Sequence, residues 1–176
     1  MKVIKAKTAG FCFGVKRAVD TVYKQVDTKC GQIYTYGPII HNEEVIKDMR
    51  DKGVIVLRSE EDLDMISQGT VIIRSHGVEK RIYEKIEQKG LRIVDATCPF
   101  VKKIHNIVSE KSGEGFHIII IGNPEHPEVV GIKGWAKDNV TVIQSAEDAE
   151  CFTADRNSGK CVSYPRRHLI TINLKI

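Results

Sequence analysis

Short runs of β-formers alternate with amphipathic stretches from the start of the chain to about residue 150, and this pattern confines the fold more than any single residue does. It is the signature of βαβ units around mostly parallel sheets, so the fold class is α/β, built as repeated small lobes. Strands are expected near Val3–Ala6, Ile33–Tyr36, Val54–Leu57, Val71–Arg74, Arg92–Asp95, Phe116–Ile121 and Val140–Ile143, with helices in most intervals.

Helix punctuation agrees with that division. Asn42 ahead of Glu43 and Glu44 reads as a cap followed by acid in the first turn, and Cys98-Pro99 puts proline at a first helical position. Gly53 and Gly90 stand where helices close. No Pro- or Ser-rich linker separates the lobes, so their joint is found by counting strands and falls at residues 95–99. A first lobe over residues 1–96, an incomplete second lobe over 97–161 and a tail over 162–176 are expected.

A chain of 176 residues that is 41% apolar can bury one ordinary core or two small ones. Lys and Arg exceed Asp and Glu by four, with the basic residues scattered, which suits a small anionic ligand rather than nucleic acid. The longest apolar runs, such as Ile118–Ile121, fall far short of the roughly 18 to 20 residues a membrane span needs. Lys2, Lys5 and Lys7 interrupt any signal-peptide core, so a cytoplasmic protein without membrane contact is expected. Cysteines at 12, 30, 98, 151 and 161 are odd in number and widely spaced, which fits metal ligands, catalysts or filler better than disulfides.

One internal echo stands out. Cys12-Phe-Gly-Val-Lys-Arg17 and Cys98-Pro-Phe-Val-Lys-Lys103 share cysteine, valine, lysine and a second base at the same offsets. Each is read as following a strand and opening a helix, where unpaired N–H groups and the helix dipole stabilise a thiolate as ligand or nucleophile. Cys30, Cys151 and Cys161 lack that context and read as small apolar residues.

In open α/β sheets ligands collect at the carboxyl ends of strands. The turns there carry Cys12, His41, His76, Cys98 and the segment Gly122–Glu128 with His126. Each histidine alone reads as a half-buried structural residue. Three on equivalent turns, with helix N-termini and net positive charge, suit a phosphate or diphosphate. His105 and His117 read as structural or solvated. Glu128 is either an acid in the first turn of a helix starting at Pro127 or a general acid, since a neighbouring diphosphate would favour its protonated form. A zinc-dependent hydrolase that uses Cys12, Cys98 and histidines is the alternative from the donor set alone.

Ala9–Ala18, Ile40-His41-Asn42, Arg74-Ser-His76-Gly-Val78, Asp95-Ala-Thr-Cys98-Pro and Glu125-His126-Pro-Glu128-Val, in this order, resemble the 4-hydroxy-3-methylbut-2-enyl diphosphate reductase (IspH/LytB) family. The resemblance covers about residues 1–150. It implies an enzyme of the non-mevalonate isoprenoid route that reductively removes the hydroxyl of an allylic diphosphate, giving isopentenyl and dimethylallyl diphosphate. It also implies three α/β lobes in pseudo-threefold arrangement around a four-iron four-sulfur (4Fe-4S) cluster with one open iron. Cys12 and Cys98 would be two of three cluster ligands, His41, His76 and His126 would bind substrate, and Glu128 would donate the proton. Reduced ferredoxin or flavodoxin would supply electrons.

The sequence departs from that pattern in its last third. The third lobe and its cysteine are not recognisable, and an inactive fragment is expected on that ground. The string Tyr164–Leu174 can be encoded so that reading two nucleotides later yields Ser-Gln-Thr-Thr, the family's sequence at this place. A frameshift near Val162 would therefore account for the unfamiliar tail, whose apolar stretch Leu169–Leu174 would form a sticky edge.

Overall fold

The computed structural model describes residues 2–4, 6–7, 9–28, 31–152 and 161–165. The chain divides into two compact units, one of residues 1–75 and 91–98, the other of residues 76–90 and 99–176.

The first unit is built on four parallel strands. β1 (Ile33–Tyr36), β2 (Ile55–Leu57), β3 (Thr70–Ile73) and β4 (Arg92–Asp95) lie in the order β2-β1-β3-β4, with Tyr34 opposite Ile55, Ile33 opposite Thr70 and Thr70 opposite Arg92. All four residues of β3 are buried, as in a central strand of a parallel sheet covered on both faces. Helix α1 (Phe13–Thr28) buries Gly14, Ala18, Val19 and Val22, a stripe at helical spacing. Its Ala18, Val19 and Val22 join Ile33, Ile39, Ile40, Met49, Val54, Ile72 and Ala96 in one core.

Side-chain capping sets the shorter helices. Asn42 accepts the Val45 N–H at 3.1 Å and starts α2 (Glu43–Asp51), which closes before Gly53 at φ +86°, both as expected. Ser59 caps α3 (Glu60–Asp64) by accepting the Asp62 N–H.

Among the described residues the expected first strand is not formed. Val3, Ile4 and Ala6 are not in a ladder, and Val3 and Ile4 are each 79% exposed. A strand exists only where a neighbour completes its hydrogen bonds, and this sheet ends in β2 and β4 without reaching that segment. Cys12 therefore precedes α1 without following a strand, so it does not sit on a strand-to-helix turn.

The second unit contains α4 (Lys80–Gln88), α5 (Pro99–Gly113), α6 (Pro127–Lys133) and α7 (Ala146–Cys151) with β5 (His117–Ile121), β6 (Val140–Ile143) and β7 (Cys161–Pro165). Its parallel sheet has the order β6-β5-β7, with Ile118 opposite Val140 and His117 opposite Cys161. Val108 of α5, Ile118 and Ile120 of β5, and Val129 and Ile132 of α6 form its core. His105 is 1% exposed and stacks on Trp135 at 5.2 Å between ring centroids, while the Trp135 indole N–H donates to the Val78 carbonyl at 2.8 Å. His117 shares a 2.9 Å hydrogen bond with Thr141. Both histidines are structural, as expected.

Strand β7 has no counterpart among the expected strands. Its closing proline argues against a strand in the sequence, but β5 gives it a parallel partner. Cys30 and the stretch Leu169–Leu174 lie outside the described residues. Among the described residues, no helix is long and apolar enough to cross a membrane.

Candidate cysteine and histidine site

In the first unit the loops leaving the carboxyl ends of β1, β3 and β4 are bonded to one another in sequence. Ser75, just after β3, donates both its N–H and its hydroxyl to the Ile39 carbonyl, at 3.3 and 3.0 Å. Cys98, three residues past β4, donates its N–H to the Ser75 carbonyl at 2.9 Å. Within its own loop, the Thr97 N–H is held by the Asp95 carboxylate at 3.0 Å. These bonds satisfy buried backbone groups that the strand ladder no longer serves, and they hold the turn carrying Cys98 in a single shape.

Helix α1 reaches the same turn. Arg17 donates to the Thr97 carbonyl at 2.9 Å and to the Asp95 carbonyl at 3.4 Å. Cys12 is the residue before α1, its carbonyl accepting the Lys16 N–H at 2.9 Å. Both cysteines are free thiols, Cys12 exposed and Cys98 half-buried, and each stands immediately before a helix. His41, exposed, lies between Ile40 and the cap residue Asn42.

Arg74 closes β3 on the same edge of this sheet. Its guanidinium packs against Gly37, where an added Cβ would come within 2.5 Å of Nη1. Gly37 has φ +73°, so close approach and backbone conformation both favour glycine there. Burial lowers the Arg74 pKa from its ordinary value, with Tyr36 opposing the shift.

In the second unit His76 and His126 meet edge to face, with ring centroids 6.1 Å apart. His126 is the cap of α6, and its Nδ1 accepts the Glu128 N–H at 3.1 Å. A neutral ring whose Nδ1 accepts carries its proton on Nε2, so His126 presents Nε2–H as a donor. Glu128 sits half-buried in the first turn of α6, after Pro127 at the first helical position. Gly131 lies against the backbone of His76 and Gly77, where an added Cβ would find ordinary contacts at 3.6 to 3.7 Å.

Cys12, His41 and Cys98 thus belong to one unit, and His76, His126 and Glu128 to the other. Among the described residues, no three His, Cys, Asp or Glu side chains are arranged to hold a single metal ion. The donor set fits an iron–sulfur cluster in kind, because Cys12 and Cys98 are free cysteines, the soft sulfur donors such clusters take, each standing directly before a helix. Sequence reasoning placed Ser75 on a turn after a strand and Arg17 in the cysteine motif, but not their partners, which are 36 and 80 residues away. Only the repeated base at Arg17 and Lys103 hinted at a shared role.

A family model described as LytB protein matches residues 3–169. The chain is 48% identical over 151 residues to the 4-hydroxy-3-methylbut-2-enyl diphosphate reductase of Caldanaerobacter subterraneus subsp. tengcongensis, an alignment covering 85% of this chain and 52% of that protein. It is 43% identical over 163 residues to the Clostridioides difficile protein of the same name, covering 92% and 57%. Among solved structures, the E-1-hydroxy-2-methyl-but-2-enyl-4-diphosphate reductase of Plasmodium falciparum superposes with a TM-score of 0.84 at 30% identity, covering 93% of this chain and 50% of that one. The chain therefore spans about half the length of the curated relatives it matches.

Proposed function

The chain belongs to the LytB family, and from that premise we propose that it works in the reductive dehydroxylation of 4-hydroxy-3-methylbut-2-enyl diphosphate to isopentenyl and dimethylallyl diphosphate. The observation that carries the proposal is the pair Cys12 and Cys98, two free thiols each standing directly before a helix.

Cys12 and Cys98 would hold two irons of a four-iron four-sulfur cluster. When bound, such a cluster supplies electrons and an open iron that acts as a Lewis acid toward the substrate oxygen. His41, His76 and His126 would bind the diphosphate. His126 would donate through Nε2–H, its Nδ1 being engaged by the Glu128 N–H. Glu128 would pass a proton to the departing hydroxyl, which leaves as water, and a second proton, drawn from solvent, would go to the allylic carbon. A small acidic electron carrier of the ferredoxin or flavodoxin type would deliver the two electrons that balance the reaction. A cytoplasmic setting suits free thiols.

A zinc-dependent hydrolase is not favoured, since the matched relatives are named as reductases. Anaerobic purification tests the choice. A brown protein containing iron and sulfide, and reduction of the allylic diphosphate with a chemical electron donor once the chain is extended to its relatives' length, support the reductase. A colourless zinc protein would overturn it. The frameshift proposed near Val162 is tested by the nucleotide sequence across codons 160 to 180.

A further inference from the structure

We infer that Gly14 and Arg17 are positioning residues for Cys98: α1 leaves room for the Cys98 sulfur at Gly14 and fixes the turn that carries it through Arg17, so both thiols are set by one helix. The inference rests on the reading of Cys98 as a cluster ligand.

Gly14 lies buried in the first turn of α1 with ordinary helical backbone, so conformational freedom does not explain it. Glycine is also a poor helix former compared with alanine. Space explains it. A Cβ at position 14 would lie 2.5 Å from Cys98 Sγ and 3.0 Å from Cys98 Cβ, both inside contact distance. The Cys98 backbone cannot move away, because its N–H is bonded to the Ser75 carbonyl and the carbonyl before it to Arg17. A methyl group at 14 would therefore turn the sulfur off the first turn of α1.

Arg17 follows Gly14 by three residues, one turn along the same face. Its planar fork spans the carbonyls of Thr97 and Asp95, a double contact that the single ammonium of lysine does not reproduce. The cysteine echo keeps a base at the second of these positions and does not keep glycine at the first. In the second motif Phe100 stands where Gly14 does, 67% exposed, and Lys103 stands where Arg17 does, also exposed. Gly14 is thus explained by Cys98 and not by the repeat, and at position 17 it is the guanidinium fork, not the charge, that the repeat lacks.

The test is a double-mutant cycle on the full 176-residue chain without iron, combining Gly14→Ala with Cys98→Gly and reading urea midpoints by circular dichroism. Gly14→Ala is expected to lower the midpoint when Cys98 is present and to leave or raise it when Cys98 is Gly. If Gly14→Ala fails to fold, folding of the double variant supports the contact and its failure overturns it. Equal shifts in both backgrounds also overturn it. A second readout is the alkylation rate of Cys98 relative to Cys12, measured by peptide mapping. Both Gly14→Ala and Arg17→Lys should raise that ratio by about threefold or more, whereas a purely structural role would leave it unchanged. Neither readout involves iron, so the ligand reading is tested separately by iron binding in Cys98→Ser, and either reading can fail without the other.

Discussion

His126 accepts the backbone N–H of Glu128 on its ring Nδ1 at 3.1 Å, so one imidazole both caps α6 and orients its remaining N–H. The bond uses only the main chain of Glu128 and leaves its carboxyl group available for chemistry. The two residues can therefore be altered separately, one for proton transfer and the other for anion binding.

Glu128→Gln keeps the backbone bond and the helix while removing the proton donor. In a chain extended to the relatives' length, turnover should fall by about 10²-fold or more, the usual share of a general acid, with substrate affinity nearly unchanged. Loss of the charge near the helix N-terminus should cost about 0.3 to 1 kcal/mol of stability. Steady-state kinetics with a binding titration decide the matter, and near-normal turnover would remove Glu128 from its role.

At position 126 two substitutions separate the cap from the ligand contact. Asn keeps a cap acceptor, so His126→Asn should preserve stability, whereas His126→Ala should lose about 1 kcal/mol. Both should weaken diphosphate binding by about 1.5 to 3 kcal/mol, the worth of a charge-assisted hydrogen bond, with iron content unchanged. His41→Ala should match them in binding. Lost iron with intact affinity would instead make these histidines metal ligands.

The pH dependence of stability should show a contribution from α1 and α2. Tyr23 donates to the Asp48 carboxylate at 2.6 Å, and Lys52 pairs with the same group. The Lys52 and Tyr23 hydrogen bonds lower the Asp48 pKa from 3.8, and the Asp48 hydrogen bond raises that of Tyr23 from 10.0. A depressed carboxyl contributes stability that is complete above its unfolded value and lost as pH falls through the native one. A raised phenol contributes stability that is complete below its unfolded value and lost as pH rises through the native one. Tyr23→Phe should therefore narrow the difference in urea midpoint between neutral pH and pH 3, and an identical pH profile for both proteins would dismiss the bond.

Much of this was readable from residue order. The runs of β-formers at Ile33–Tyr36, Thr70–Ile73 and His117–Ile121 are local, and so are the Asn42 cap and the Pro99 helix start, so residue type and punctuation reveal them. Val3 and Ile4 look like a strand because composition cannot tell whether a neighbouring strand exists, while the Pro165 end of β7 disguises a real one. At the site, the repeated cysteine motif marked Cys12 and Cys98. The contacts that hold Cys98, from Gly14, Arg17 and Ser75, join positions far apart in sequence and become visible only once the sheet brings them together.

Iron stoichiometry is the sharpest remaining measure. Iron–sulfur clusters are held by cysteine thiolates, commonly four, and only Cys12 and Cys98 of this chain are proposed as ligands. If those two thiolates are the protein's donors, two or more irons would be left without one. On anaerobic reconstitution the 176-residue chain should therefore bind iron and sulfide below four per chain and lose them on exposure to air. A chain extended to the relatives' length should approach four and show turnover. Within either form, Cys12→Ser and Cys98→Ser should each lower the iron bound, while Cys30→Ser should not. Iron, sulfide and turnover measured side by side settle it: a full, air-stable cluster on the short chain, or one indifferent to Cys12→Ser and Cys98→Ser, would assign the ligands elsewhere.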